Sequence, residues 1–371
     1  MKKEDRRREA AKQKALRKKK QRRRRRKRII LLVLEIIILC VLLVIAYAVF
    51  KLDKLNLTSL NNIDNNGWKQ EGYTNIALFG TDNRAGETEG VRSDCIIVAS
   101  INNETKEVKL MSVYRDTMLS QSEGHYDKAN AAYALGGPEA AVSMLNRNLD
   151  LDITDYVSVN FLAVADVVDL LGGIDLELTD EEVVHMNNYC VETSEITEKD
   201  YARIDPEVAG TYHLNGVQAV SYCRIRYTSG GDFTRTERQR LVLEKIAEKA
   251  KKAKLSTLNN IIDAVLPEVS TSFSSSEIVK LAAGVFDYKI VDNKGFPFEL
   301  ETPESVSGYT GSYVVAVGLE NNVRQAHEFF FPDEEYEPTE SLKHISEELC
   351  YITGIYPNTD EEMQDDIENT E

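Results

Sequence analysis

The chain is poor in the residues that would organise a metal or disulfide scaffold. Of 371 residues only five are histidine, at positions 125, 185, 213, 327 and 344, and no two are four apart. That spacing argues against a zinc site. Five cysteines are too few and too irregular for a disulfide framework: Cys40 falls in an apolar run, Cys95 in a strand-like one where it reads as a buried thiol, and a Cys190–Cys223 bridge is the one weakly supported pairing. With 8 Pro and 20 Gly the chain is neither collagen-like nor dominated by linkers. It carries no Walker A loop and no internal repeat. What it has is charge, unevenly placed, and 42% hydrophobic residues, enough to fill a core and exclude a wholly disordered chain.

Residues 1–28 hold 18 Lys or Arg against three acids, a net of +15, while the other 343 residues hold 27 against 58, a net of −31. Between the two regions, Ile29 to Phe50 is a 22-residue run with a single charge, Glu35. Seventeen of its residues are Leu, Ile, Val or Phe. At about −0.3 to −0.6 kcal/mol each, they outweigh the ~3 kcal/mol of one carboxylate at the bilayer centre. A transmembrane helix is expected over 29–50, with Glu35 snorkelling to the inner interface. The all-basic Arg22–Arg28 immediately before it places the N-terminus in the cytoplasm and residues 51–371 outside. Its expected partner is anionic inner-leaflet lipid rather than nucleic acid. Ala46-Tyr47-Ala48 matches a cleavage pattern, but the long basic segment and long apolar run argue for a retained anchor. Leu39 before Cys40 argues against lipidation.

Beyond the span, 51–72 reads as a polar stalk. Asn75–Phe79, Cys95–Ile101 and Val108–Val113 read as strands, with a polar loop at Gly80–Ser93. Helical patterns follow at Pro138–Leu149, Phe161–Leu171, Phe233–Lys254 and Ser256–Asp287, the last broken at Ser272–Ser276; Tyr313–Gly318 is a late strand candidate. Strands alternating with helices predict an α/β layered domain over 73–332. Residues 333–371 contain 14 acids and one Lys, and read as a solvated acidic tail with room for one short helix at Leu342–Ile355.

The chemistry is carried by charges at predicted strand ends: Asp82 and Arg84 after the first strand, Arg92 and Asp94 before the second, Arg115 and Asp116 after the third. Arg224 and Arg226 alternate downstream, and Asp232 leads into Thr234-Arg235-Thr236-Glu237, which reads as a capping box that starts a helix near Arg235. Arg235, Arg238 and Gln239 then share a helix face. A cation in the first turn opposes the helix dipole unless an anion lies between, and guanidinium forks suit bidentate phosphate contacts. Each arginine alone could be a surface ion pair worth about 0–1 kcal/mol. As a set with Asp82 and Asp94 they fit a magnesium pyrophosphate, because Mg²⁺ is held by one or two carboxylates plus substrate phosphate oxygens.

In order along the chain, GTDNR (80–84), RSD (92–94), SVYRD (112–116), KANAAYALGG (128–137), VDLLGGID (168–175), LNGVQAVSYCRIR (214–226) and GDFTRTERQ (231–239) resemble the LytR-CpsA-Psr family over about Tyr73 to Pro332. The cytoplasmic tail and single span are similar to that family's layout. The resemblance implies a three-layer α/β/α sandwich with a central mixed sheet and an apolar lipid cavity, walled in part by Phe161–Leu171. It implies a phosphotransferase that moves a glycopolymer, such as teichoic acid or capsular polysaccharide, from an undecaprenyl-pyrophosphate carrier to a peptidoglycan hydroxyl. Asp82 and Asp94 would hold Mg²⁺; Arg84, Arg92, Arg115, Arg224, Arg226, Arg235, Arg238 and Gln239 would contact the pyrophosphate; Asp116 and Asp82 are candidates for the acceptor's proton. A polyprenyl-pyrophosphate hydrolase and a non-catalytic binder of anionic polymer are the rival readings. One departure is Tyr114, where the family usually has Pro, which predicts a freer loop before Arg115.

Overall fold

The computed structural model describes residues 56–64, 66, 68–81, 91–284 and 286–357. The basic tail 1–28, the expected span 29–50, Asp82 and Arg84 lie outside the described residues. Among the described residues no helix is long and apolar enough to cross a membrane.

The strands are β1 (Asn56–Leu57), β2 (Tyr73–Thr81), β3 (Ser93–Asn102), β4 (Glu107–Val113), β5 (Met118–Ser122), β6 (His125–Lys128), β7 (Asp155–Asn160), β8 (Ile174–Leu178), β9 (Gly210–Leu214), β10 (Val269–Thr271), β11 (Lys289–Phe296), β12 (Leu300–Glu301) and β13 (Val315–Ala316). The helices are α1 (Ala131–Leu149), α2 (Phe161–Leu170), α3 (Asp180–Thr197), α4 (Gly216–Arg224), α5 (Gly231–Lys252), α6 (Leu255–Val265), α7 (Ser275–Ala283), α8 (Leu319–Phe330) and α9 (Glu340–Thr353).

Seven strands form one mixed sheet in the order β1-β10-β7-β2-β3-β4-β11. β2, β3 and β4 pair antiparallel, while β7 joins β2 and β11 joins β4 in parallel. The period-2 alternation of strand side chains sorts two cores. Ala77, Phe79, Ile96, Val98, Met111 and Val113 face the core shared with α1, α8 and α9. Ile76, Ile97, Ala99, Ile101, Val108 and Leu110 face the core reached by Leu243 of α5 and Ile278 of α7. Helices thus cover both faces, giving the α/β/α layering. A third cluster joins α2, the antiparallel β8–β9 pair, α3, α4 and α5.

Several local expectations change. Residues 269–271, expected within the helical stretch ahead of the Ser272–Ser276 break, are instead β10, inserted between β1 and β7, where Thr271 Oγ1 donates to the Tyr156 carbonyl at 2.6 Å. The stalk is not free: Leu60, Ile63 and Trp68 pack on the first core. Nor is the acidic segment all solvated. Leu342, Ile345 and Leu349 of α9 are buried in that core. Tyr336 Oη and Thr339 N donate to buried Asp150 at 2.7 and 2.8 Å, stapling this segment to the end of α1. The acids of α9 face outward, so the composition of 333–357 reports a helix's outer face and hides its inner one. Cys190 and Cys223 are free thiols. Burial pushes the Cys190 thiol up to about 11 and Cys95 up to about 12, so both are inert as nucleophiles.

Candidate functional site

The sheet brings one strand start and one strand end together. Thr81, at the end of β2, pairs with Ser93, so Asp94 lies at the same sheet edge. Arg115 and Asp116 follow β4 in a turn tied by the Thr117 amide to the Tyr114 carbonyl at 3.0 Å. α5 then carries its polar N-terminal half over this edge. It starts at Gly231, with Gly230 as N-cap at φ +86° and no side-chain cap. The capping box at Thr234–Glu237 is therefore absent, and Thr234 Oγ1 instead donates to the Ser229 carbonyl at 2.8 Å. Two glycines with positive φ supply the turn that a capping residue would otherwise make. Arg235 consequently sits in the second turn, and the acid in the first turn is Asp232.

Three guanidinium groups and three carboxylates converge here. Asp94 Oδ1 accepts from Arg115 Nη1 at 2.9 Å and Oδ2 from Arg226 Nη2 at 2.7 Å. Arg235, 2% exposed, reaches the Asp94 carbonyl at 3.0 Å and Asp232 Oδ2 at 3.2 Å. Arg115 Nε also contacts Asp116 at 3.3 Å, and Lys128 Nζ holds the other Asp116 oxygen at 2.8 Å. Burial alone would raise the Asp94 carboxyl, but Arg115, Arg235 and Arg226 outweigh it and hold it below the ordinary value. Two side-chain atoms on α5, Arg235 Nε and Gln239 Oε1, are buried without a hydrogen-bond partner, while Asp232 Oδ1 is held by an ion pair to Arg235 Nη2 at 3.0 Å. The three residues recur at i, i+3 and i+7, one face of the helix, and buried unsatisfied groups on that face mark a place built for a ligand.

An apolar cavity of about 270 Å³ lies between the sheet and α2, α4 and α5. Phe79, Cys95, Phe161, Val164 and Val220 line it, and Gln239 stands at its polar end. Cys95 follows Asp94 in β3 and Gln239 lies one turn beyond Arg235, so the cavity and the charged cluster are neighbours, although none of the cluster's own charged residues lines the cavity. Phe161 and Val164 are the residues of the expected α2 wall that reach it; Ala163, Ala165 and Val168 are buried elsewhere.

The other expected site residues lie apart. Arg224 pairs with Glu192 at 2.9 Å and lies 5.0 Å over the Phe161 ring, on the cavity's outer flank. Arg238 is buried and braces the chain: it binds Glu182 at 2.9 Å, the Ile225 carbonyl at 3.2 Å and Thr228 at 2.7 Å, fixing the turn that presents Arg226. Arg92 is exposed and lines a separate polar cavity. Tyr114 does not loosen its loop. Its amide donates to the Phe296 carbonyl at 3.0 Å, a bond proline cannot make, and its ring packs edge-on against Phe233 of α5 at 4.6 Å. Asp232 and Lys128 were not singled out as site residues. The signal for Asp232 is its i, i+3 spacing to Arg235; for Lys128 it is its place at the head of KANAAYALGG, while its meeting with Asp116 comes only from the tertiary pairing of β5 and β6.

Fold and site together define a class: an α/β domain with an apolar cavity beside an arginine–carboxylate cluster. The LytR_cpsA_psr family model matches residues 46–323, and the chain belongs to the LytR-CpsA-Psr family. It is 32% identical over 247 residues to the polyisoprenyl-teichoic acid–peptidoglycan teichoic acid transferase TagU of Enterococcus faecalis, covering 66% of this chain and 72% of that protein. To TagV of Bacillus subtilis, which bears the same transferase description, it is 28% identical over 244 residues, 60% of each chain. Protein gbs0355 from Streptococcus agalactiae superposes with a TM-score of 0.57 at 26% identity, covering 72% of this chain and 90% of that one.

Proposed function

We propose that this chain is a membrane-anchored phosphotransferase. It moves a glycopolymer from an undecaprenyl-pyrophosphate carrier to a peptidoglycan hydroxyl, outside the cell, and forms a phosphodiester. The observation that carries the reading is that the apolar cavity, through Cys95 and Gln239, lies beside the Asp94–Arg115–Arg226–Arg235–Asp232 cluster. An isoprenoid needs the first and a pyrophosphate the second. The transferase descriptions of TagU and TagV support the reaction class.

In this reading the three guanidinium groups bind and orient the pyrophosphate oxygens, and their pairing with Asp94 and Asp232 keeps them aimed before substrate arrives. Positioning and charge neutralisation are the main demands of phosphoryl transfer. Asp116, fixed between Arg115 and Lys128, is placed to accept the acceptor's proton. The pyrophosphate stores the driving force, so no nucleotide is needed.

The donor set fits magnesium. Asp94 is ionised, Asp232 is half-buried beside it with Oδ1 paired to Arg235 at 3.0 Å, and both are hard oxygen ligands. Asp94 and Asp82 would hold the ion, and when bound it neutralises charge on the pyrophosphate oxygens. N-terminal to the domain, the span at 29–50 anchors the chain and the basic tail meets anionic inner-leaflet lipid.

The test is incubation of the full chain in detergent with a defined lipid-linked donor, peptidoglycan fragments and Mg²⁺, with products weighed by mass spectrometry. Conjugate is expected. Free polymer phosphate alone, dependent on water, would replace the transferase with a hydrolase; no turnover with a range of donors would leave a polymer-binding protein.

A further inference from the structure

The polar cavity beyond Asp116 has no part in the pyrophosphate site. Its volume is about 460 Å³, and its walls include Arg92, Tyr126, Asp127, Lys128, Tyr309 and Tyr313. Lys128 joins it to the charged cluster, with Nζ 2.8 Å from Asp116 and 5.2 Å from the centre of the Tyr313 ring. A chain of contacts therefore runs from the apolar cavity at Cys95 through Asp94, Arg115, Asp116 and Lys128 to Tyr313. A substrate whose lipid lies at one end and whose phosphates lie in the middle would place its sugars, or the sugar attacking it, at the other.

The wall opposite β6 is the loop Ser305-Val306-Ser307-Gly308-Tyr309-Thr310-Gly311-Ser312 between β12 and β13. Val306, 3% exposed, anchors it in the core, and the Tyr309 amide donates to the Val306 carbonyl at 3.0 Å. Gly308 and Gly311 turn at φ +83° and +93°, and a Cβ on Gly311 would lie 3.7 Å from Lys128 Nζ, so the loop folds over the lysine. Tyrosine set among glycine and serine is the composition of adaptable recognition loops: broad amphipathic area at low entropy cost, with small residues supplying hydrogen bonds. The Tyr309 and Tyr313 rings stand 5.9 Å apart at 80°, offering one face and one edge. The face of an aromatic ring is electronegative and attracts the polarised C–H groups of a pyranose. Arg92 and Lys128 add positive charge for a carboxylate or phosphate, and Asp127 adds an acceptor for a hydroxyl.

We infer that this cavity is a saccharide subsite for an anionic pyranose bound next to the reacting phosphate, an assignment that rests on the phosphotransferase reading. Both the acceptor glycan and the first sugars of the donor have that chemistry. The experiment titrates the full chain in detergent with two soluble probes: a GlcNAc–MurNAc disaccharide-peptide, and a disaccharide 1-phosphate of the donor's linkage unit. Tyr309→Ala should weaken one of them by up to about tenfold, the scale of one aromatic contact. Tyr309→Phe should restore it. Thr310→Trp, which fills the cavity from an exposed loop position, must weaken the same probe. Loss of the disaccharide-peptide assigns the cavity to the acceptor; loss of the 1-phosphate assigns it to the donor. Unchanged affinity for both probes in folded Tyr309→Ala and Thr310→Trp overturns the inference. Inorganic pyrophosphate, titrated in parallel, should bind all variants alike; its failure to bind the unaltered chain would instead strike the parent reading and leave the sugar result standing on its own.

Discussion

Replacing Asp94 with asparagine removes one carboxylate from among three guanidinium groups while keeping the side chain's shape. At about 4 Å and an effective dielectric constant near 20, each attraction is of order 4 kcal/mol. The Asp94 side chain is 25% exposed, and losing its charge also relieves its desolvation. Screening and that relief reduce the net cost to about 1–3 kcal/mol at neutral pH. Its pH dependence has a definite sign. Because burial raises the carboxyl less than Arg115, Arg235 and Arg226 lower it, the folded chain holds the proton more weakly than the unfolded chain does. The stabilisation is therefore complete above about pH 4 and is lost as pH falls through the depressed value. Urea unfolding of both chains at pH 7 and at steps below pH 4 should show a gap that closes with acid. The same variant, carrying one less anion, should bind inorganic pyrophosphate more tightly in EDTA yet lose the gain that Mg²⁺ gives the unaltered chain. A variant as stable as the parent at pH 7, or a gap that persists undiminished to pH 2, would refute the reasoning.

His327 is 1% exposed and burial lowers it to about 4, with Nε2 2.8 Å from the Leu149 carbonyl. The unfolded chain takes up its proton near pH 6.5, so stability should fall by up to about 3 kcal/mol between pH 6.5 and 4; His327→Gln should flatten that part of a denaturation-versus-pH curve, and an unchanged slope would contradict it. A Cβ at Gly216 would lie 2.2 Å from the Ala165 carbonyl oxygen and 2.7 Å from its Cα, both backbone atoms. Gly216→Ala should therefore lower stability by about 1–3 kcal/mol in a melting experiment, and a neutral result would deny the close approach of α4 to α2. Deleting 333–371 strips Leu342, Ile345 and Leu349 from the core and leaves Asp150 without Tyr336 and Thr339. At about 1.5–3 kcal/mol per apolar side chain the loss approaches a whole domain's stability, so an unchanged melting temperature would show that the segment is dispensable.

Much of the layering was legible because it rests on local pattern. Asn75–Phe79, Cys95–Ile101 and Val108–Val113 lie within β2, β3 and β4, and Gly136-Gly137 does interrupt α1, with Pro138 opening its longer part. Expectations failed where tertiary pairing overrode that pattern. Residues 269–271 follow helical sequence yet complete a sheet edge, and Thr234–Glu237 has a cap's composition but lies inside a helix already begun by two glycines. For the site, Asp94, Arg115, Asp116, Arg226, Arg235 and Gln239 were each marked as charge or polarity beside a strand or helix end. What sequence could not reveal was which arginines point inward together. Arg224 and Arg238 look the same as Arg226 and Arg235 on paper, but Glu192 and Glu182, on α3, claim them. Lys128 enters through its ion pair with Asp116, twelve residues back, and the Tyr309 loop through contacts spanning nearly two hundred residues, for which a single chain carries no local signal.

The claim on which the account depends is that one ligand occupies both the apolar cavity and the arginine cluster. A crystal structure of the full chain with a short polyprenyl pyrophosphate tests it directly. The account predicts the prenyl chain against Phe79, Phe161 and Val220, with phosphate oxygens within hydrogen-bond reach of Arg115, Arg226 and Arg235. A prenyl chain bound elsewhere, with those arginines still held by Asp94 and Asp232 alone, would contradict it.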